Sequence, residues 1–335
     1  MKGKLLCLSV YAIIVLQKIN HQSGDSNTHF VELLIRLHIG ECNASNYQLL
    51  KSRVISETQN INTWNLGIND YSPVIVSDNA SKDAINNQMS LLFASKMNQV
   101  LHSYVANDTQ NGKTITDPSV LQIISLLHSG KTHGMLRQLL LTIGMPIMIT
   151  TNIDVQGGIV NGSISTVRSI SFKTLPNGDQ TLSHCIVHIP NATAPVLPHL
   201  SSQEYPIMPE SVYISYKSSK WDSKQAISFK RMQIPLILAF AMTAHKAQGQ
   251  TLTKAIINLH SCHGSEALYV MTSCVCSLND LLILWPFEFH KIRCHLSQDL
   301  QKELDHINYH HLSTILQYGN GDEHNQASTA LDKLK

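Results

Sequence analysis

Hydrophobic positions recur along this chain in three rhythms, and each rhythm predicts its own kind of element. Phe30, Leu33, Leu34 and Leu37 fall at helical spacing and stop at Gly40, which predicts a short amphipathic helix. Pro73-Val-Ile-Val-Ser77 is a brief β-rich run, with Asn79 or Ser81 as candidate caps for a helix after it. Ala84, Ile85, Met89, Leu92, Phe93, Met97, Val100 and Leu101 then trace one face of a long helix. Strand, cap and helix in that order make half of an α/β unit. Residues 139–151 are apolar and broken at Gly144-Met-Pro146, the pattern of a buried strand entered through a turn.

The rhythm changes after Gly157-Gly158. Residues 163–172 are strand-like, Pro176-Asn-Gly-Asp179 is a strong turn signal, and Cys185, Val187 and Ile189 alternate with polar neighbours, so a hairpin is expected. Val212, Ile214 and Tyr216 alternate again after a loop rich in Pro and Ser. Residues 158–232 therefore read as a small all-β insertion, after which Ile234-Pro-Leu-Ile-Leu-Ala-Phe-Ala241 resumes the α/β pattern. Beyond Phe289 the chain turns polar and His-rich (Asp305-His-Ile-Asn-Tyr-His-His311), and its last stretch is expected to be disordered. No internal repeat is found.

Composition narrows the field only a little. A chain of 335 residues holds one large or two modest domains, and 43% hydrophobic with 14% charged residues describes a globular protein light in charge. The formal net charge of +2 gives no basic footprint that announces nucleic acid. Seven cysteines, an odd number, do not form a secreted disulfide framework and read as reduced cytosolic or nuclear thiols. Met1-Lys-Gly-Lys followed by an apolar run over residues 5–16 has the start of a signal peptide, but no small-x-small cleavage site comes after it. The run is too short to span a membrane. It is expected to be a buried strand or an accidental translation start, with secretion the minority reading despite Asn-x-Ser/Thr triplets at Asn43, Asn79, Asn107, Asn161 and Asn191.

The chemistry concentrates in Ala241-Met-Thr-Ala-His-Lys-Ala-Gln-Gly-Gln-Thr-Leu252, held between two apolar runs. A hydroxyl, an imidazole, an ammonium, two amides and a glycine within one short span could contact a phosphate or a nucleic acid. The same letters also suit a buried helix ending at a glycine cap. The order of the residues separates the two: it resembles the fifth motif of the Pif family of DNA helicases, Thr-x-His-Lys-x-Gln-Gly. Further segments carry the resemblance, from about residue 16 to residue 284. They are Phe30-Val-Glu-Leu-Leu-Ile-Arg-Leu-His-Ile-Gly40, the run Val74–Asn86, Gly144-Met-Pro-Ile-Met-Ile-Thr-Thr-Asn-Ile153, Gly158-Ile-Val-Asn-Gly162 and Leu268-Tyr-Val-Met-Thr-Ser-Cys-Val-Cys-Ser-Leu278. Any one alone would be weak; together and in this order they are specific, and they resemble the C-terminal half of Pif-family helicases, including those carried by Helitron transposons.

The resemblance implies an α/β fold, a RecA-like domain of the P-loop NTPase type interrupted by a small Src-homology-three-like β-barrel. It divides the chain into residues 1–157 (first part of the second RecA-like domain), 158–232 (barrel), 233–290 (the rest, with motifs V and VI) and 291–335 (polar tail). It implies that Thr243, His245 and Lys246 contact single-stranded DNA, that Gln248 and Gly249 lie toward the nucleotide, and that Asn161 and Gly162 turn the chain into the barrel. ATP and Mg are the family's cofactors, the N-terminal helicase domain is the expected missing partner, no membrane is involved, and the nucleus or mitochondrion is the expected compartment.

Parts of that machinery are not found in the sequence. Gly112-Lys-Thr114 and Gly130-Lys-Thr132 lack the first glycine of a P-loop, which is Asn107 in one case and Ser125 in the other, and no Asp-Glu pair follows an apolar strand. Where the resemblance places the arginines of motif VI stand Cys274 and Cys276, and Gln22 and Trp285 replace two more. A thiol cannot stand in for a permanently charged guanidinium. The chain is therefore expected to be inactive alone, a decaying copy of a transposon helicase, or else a non-enzymatic interaction module. Cys262-His263 with Cys274 and Cys276 or with Cys294-His295 matches no usual zinc spacing, His306, His310 and His311 read as a solvated face, and no Gly-x-Ser-x-Gly elbow marks a hydrolase.

Overall fold

The computed structural model describes residues 9–15, 27–56, 72–217, 226–262, 264–293, 296–319 and 321–334. Four three-residue strands, β13 (Ala241–Thr243), β1 (Val74–Val76), β14 (Ala255–Ile257) and β15 (Leu281–Ile283), pair in parallel in that order. Val54 adds a parallel bridge beyond them, to Ile283. Every residue of the four strands is buried, as continuous apolar runs covered on both faces must be. Helix α1 (Thr28–Ile39) supplies Phe30, Leu33, Leu34 and Leu37 to the core shared with Ile75, Met242, Ile257 and Ile283. Burial of each such side chain contributes about 2 kcal/mol. Gly40 ends α1 at φ 75°, where the N–H of Glu41 returns to the Arg36 carbonyl at 2.8 Å, as the sequence predicts for a glycine stop.

Helix α3 (Asn79–Lys96) forms where expected, yet it is rotated relative to its apolar stripe. Its N-cap is Asp78, which accepts from the Ser81 N–H at 2.8 Å, rather than Asn79 or Ser81. It ends at Lys96, short of Val100 and Leu101. Phe93 is buried, but so are Lys82, Asp83, Asn86 and Ser90, while Leu91 and Leu92 are exposed. The polar residues turn inward because the main chain beside them needs partners. The Asn86 amide donates to Leu238 O (2.9 Å) and Ala241 O (3.1 Å) and accepts from the Ala241 N–H (2.7 Å). One side chain thus closes the backbone accounting where β13 begins.

The second body is antiparallel for the most part and begins earlier than residue 158. Its larger sheet runs β12 (Leu236–Leu238), β6 (Pro146–Ile149), β7 (Ile164–Thr174), β8 (Gln180–His188), β2 (His102–Val105) and β5 (Gln138–Leu141), with β9 (Glu204–Ile207) also on β8. Strands from residues 102–149 therefore belong to the β-rich body, because β6 pairs with both β7 and β12 and β2 pairs with β8. The Pro176–Asp179 turn joins β7 to β8 with Gly178 at φ 86°, and Cys185, Val187 and Ile189 are buried, as their alternation predicts.

A third sheet, β10 (Glu210–Tyr216), β11 (Ile227–Gln233), β3 (Asn107–Gln110) and β4 (Lys113–Thr114), lays one face on helix α4 (Pro118–Ser125). Under it Arg231, fully buried, donates to both Asp108 carboxylate oxygens at 2.7 and 2.9 Å, and Arg137 adds a third bond at 2.9 Å.

Two expectations at the ends of the chain are overturned. The polar tail forms helices α7 (Gln298–Tyr318) and α8 (Asp322–Leu334), with His311, Thr314 and Ala327 buried, so it is an ordered pair of helices. The described part of the N-terminal apolar run, residues 9–15, carries no strand. Its Tyr11 and Ile14 are exposed, and it is tied to α7 by Ile13 N–H to Thr314 Oγ1 at 2.9 Å.

Candidate nucleic-acid interface at the edge of the parallel sheet

The register Val76↔Thr243 brings the ends of β1 and β13 out side by side, at the edge where open α/β sheets hold their ligands. Beyond Thr243 the chain makes one turn, α5 (Ala244–Ala247), closed by Gln248 N–H to Ala244 O and Gln250 N–H to Ala247 O, each 3.0 Å. Gly249 stands between them at φ 77°, a conformation that favours glycine, although a Cβ there would meet nothing within 4 Å. The backbone dihedral, not space, selects the glycine. Leu252 then fastens the turn to the end of α6 (Ser265–Ser273) through its N–H to Cys274 O at 2.8 Å.

Opposite this turn lies a second, residues 160–164, and between the two opens a cleft of about 520 Å³. His245, Lys246, Gln248 and Gln250 line one wall and Asn161, Gly162 and Ser163 the other. Lys246 Nζ bridges the cleft by donating to Asn161 Oδ1. Burial, and then the neighbouring Lys82 ammonium, hold the Lys246 amine below its usual value. Gln250 supports the lysine backbone from below, Nε2 to Lys246 O at 2.8 Å. The facing turn is set by Asn161 N–H to Asn152 Oδ1 (2.9 Å) and Gly162 N–H to Ile149 O (2.9 Å).

A second cation sits behind the first. Lys82 is 3% exposed and is satisfied by Ser129 Oγ (2.5 Å), Asn79 Oδ1 (3.2 Å) and the Asp83 carboxylate (3.1 Å). Asp83 in turn accepts from the Ser129 N–H at 2.7 Å and Ser129 Oγ at 3.0 Å. Asp83 compensates the Lys82 charge, so Lys246 is the cation that the cleft lining presents to a ligand.

Of the five residues singled out from sequence, His245, Lys246 and Gln248 line the cleft. Gly249 is exposed beside it, and Thr243 is buried at the end of its strand, 7% exposed and outside the lining. Asn161, Gly162 and Ser163 form the opposite wall. Sequence reasoning does not reach Asn152 and Lys82: Asn152 acts through a hydrogen bond to residue 161, and Lys82 lies within a helix whose apolar stripe points elsewhere. Cys274 is buried in the core of the parallel body, its thiol donating to Met271 O at 2.9 Å and pushed up to about 12 by burial. Trp285 is exposed, and Gln22, His263, Cys294 and His295 lie outside the described residues. Gly112-Lys-Thr114 sits in the β3–β4 hairpin, and residues 129–131 form a single 3₁₀ turn in which Gly130 lies against Asn79; neither triplet joins a strand to a helix. Among the described residues no helix is long and apolar enough to cross a membrane, and no group of three His, Cys, Asp or Glu side chains could hold a metal ion.

No protein-family model matches the chain. It is similar in sequence to the ATP-dependent DNA helicase PIF1 of Danio rerio, 29% identical over 171 residues, which is 50% of this chain and 22% of that protein. It is also similar to the protein of the same name from Candida albicans, 34% identical over 74 residues, 22% of this chain and 8% of the relative. The matches thus span less than a quarter of each of these relatives. In structure it is similar to the Pif1 helicase of Candida albicans (TM-score 0.58, 19% identity, 88% of this chain and 60% of that one). It is likewise similar to the Bacteroides Pif1 helicase solved in complex with ADP-AlF3 and single-stranded DNA (TM-score 0.56, 19% identity, 87% and 56%). The chain is thus similar in sequence to Pif helicases over about half its length, and its mixed α/β fold resembles theirs over most of it.

Proposed function

We propose that this chain, similar to Pif-family helicases in sequence and in fold, works as the second RecA-like half of such a helicase and holds single-stranded DNA in the cleft between residues 244–250 and 160–164. The observation that carries the reading is the Lys246–Asn161 bridge, which unites the motif-V turn with the turn leading into the β-rich body and lines both with polar groups. His245, exposed on the cleft wall, is assigned to the DNA together with Lys246; Thr243 lies buried beneath them at the end of its strand. Gln248 and Gly249 are assigned to the nucleotide side. The sheet built on β6, β7, β8 and β9 is assigned to the small Src-homology-three-like barrel, and the first RecA-like half is the assigned partner.

ATP and Mg are the cofactors the resemblance implies, and the described residues fit them poorly. Cys274 offers a buried neutral thiol where a charged finger would be needed, and the two Gly-Lys-Thr triplets offer no strand-to-helix cradle. No step of ATP hydrolysis is therefore assigned to this chain. The buried Cys274 favours a second reading, a relic of a transposon helicase kept as a nucleic-acid or protein interaction module. A nuclear or mitochondrial location, and roles in DNA repair or recombination, belong to the first reading.

The test is a fluorescence-anisotropy titration of the purified chain with a labelled single-stranded oligonucleotide, run beside an ATPase assay. Binding that weakens with salt, is reduced by His245→Ala and is accompanied by no ATP turnover is the expected result. Equal binding by wild type and His245→Ala would remove the cleft from the account, and hydrolysis above background would overturn the assignment of an engineless half.

A further inference from the structure

The third sheet has one covered face and one open face, and the open face is chemically one-sided. On the inner side, β10 and β11 send Ile214, Phe229 and Arg231 into the core beneath α4. On the outer side the register sets Tyr213 directly opposite Lys230, with Ser211 and Ser215 on the same strand as Tyr213 and Thr109 beyond Lys230 on β3. Tyr213 is 78% exposed, the value of a ring standing in water although it lies mid-strand in a paired sheet. Lys230 Nζ lies over its ring, 5.9 Å from the centroid, so a cation and an aromatic meet at one spot on the open face. Ser228 donates to Ser215 across the strands at 3.1 Å, adding hydroxyls around the ring. Within the paired stretch this face carries a cation, hydroxyls, an aromatic and the thioether of Met232, and no carboxylate.

We propose that this outer face is a stacking platform for single-stranded nucleic acid, with Tyr213 taking a base and Lys230 the adjoining phosphate. A protein partner would be met by a larger apolar surface, whereas an exposed ring flanked by a cation and hydroxyls is the chemistry that receives unpaired bases without reading their sequence. Its position supports the same occupant. Asn161, which holds Lys246 in the cleft, is itself held by Asn152, and the neighbouring Thr151 hydroxyl reaches Glu210, the first residue of β10, at 3.5 Å. Ser211 and Tyr213 follow on that strand, Tyr213 about 10 Å beyond Glu210 and on the opposite face of the sheet, so main chain and hydrogen bonds link the platform to the cleft wall. The inference rests on the reading that the chain engages a single strand, and it names a second place where the strand does so.

The experiment is photocrosslinking of the full chain to a single-stranded oligonucleotide carrying 5-iodouracil, with the crosslinked peptide mapped, beside anisotropy titrations of Tyr213→Ala, Tyr213→Phe, Lys230→Gln and His245→Ala. A crosslink at Tyr213, a loss of about tenfold in affinity (~1.4 kcal/mol) for Tyr213→Ala, and recovery in Tyr213→Phe are expected. Since the side chain lies on the open face, circular dichroism should show all four variants folded. Crosslinks confined to the 244–250 turn, or full affinity in Tyr213→Ala while His245→Ala is weakened, would overturn the platform and leave the cleft standing. Full affinity in His245→Ala with loss in Tyr213→Ala would do the reverse. Absence of binding by the wild type would overturn both.

Discussion

The parallel and antiparallel bodies of this molecule solve the same burial problem with opposite consequences for ligands. In the parallel body all twelve residues of the four strands are buried, so neither face of the sheet is left for a partner. Only the strand ends remain, and the candidate site lies there, in the turn after β13. The third sheet alternates, with burial running exposed-buried along β11, and keeps a whole face open. Polar residues follow the same division. Asn86 enters the parallel body to satisfy main chain at its seam, whereas Asp108 and Arg231 enter the β-rich body to pair with each other. A sheet covered on both sides confines chemistry to its edge, and a sheet covered on one side offers it a surface.

The largest effect is expected from Asp108→Asn. It leaves the guanidinium of Arg231, fully buried, with backbone acceptors at Met135 and Ile124 but without its counter-charge. A loss of about 3–5 kcal/mol in urea unfolding is expected. A loss below about 1 kcal/mol would mean that the pair is not what holds the third sheet to α4. Asn86→Ala tests the seam instead: it strands the Ala241 N–H and two carbonyls, and a loss of about 2 kcal/mol is expected from the same measurement. If Asn86→Ala proved the costlier change, the division between the two bodies would have to be redrawn.

The smallest effect concerns the thiols. Burial pushes Cys185 in the β-rich core, and Cys262 and Cys274 in the parallel core, up to about 12. A thiol whose folded value lies above its unfolded one stabilises fully below the unfolded value, 9.0 for these groups, and that contribution is lost as pH rises toward 12. Raising pH from 8 to 10 should therefore narrow the stability gap between wild type and Cys185→Ala by about 1 kcal/mol, read from urea midpoints at both pH values. An unchanged gap would show that the thiol ionises as freely in the folded chain as in the unfolded one.

Local pattern makes much of the fold legible, and long-range pairing accounts for what it leaves hidden. The glycine stop of α1 and the Pro176–Asp179 hairpin arise from residues within a few positions of each other, and both form as expected. The inward face of α3 is not legible, because Asn86 and Lys82 are drawn in by partners at Ala241 and Ser129 that apolar periodicity cannot see. The Asp108–Arg231 pair spans 123 positions and the Lys246–Asn161 bridge 85, so the sequence names both cleft turns without showing that they face each other. The order of the His-rich tail is hidden for the opposite reason: its apolar positions are too few to announce a helix pair, yet His311 and Thr314 are buried against residues 13–15. The open platform around Tyr213 hides in an ordinary alternation, since exposure in a strand says nothing until the register shows what stands beside it.

Under the proposed function, Lys246 and its surrounding turn meet a phosphate chain. That contact is tested most directly by the salt dependence of single-stranded DNA binding, comparing wild type with Lys246→Gln between about 50 and 200 mM salt. A linear fall of log affinity with log salt is expected, its slope shallower in Lys246→Gln by about 0.7, the value of one single-strand phosphate contact. Parallel lines for the two proteins would contradict it, whatever their absolute affinities.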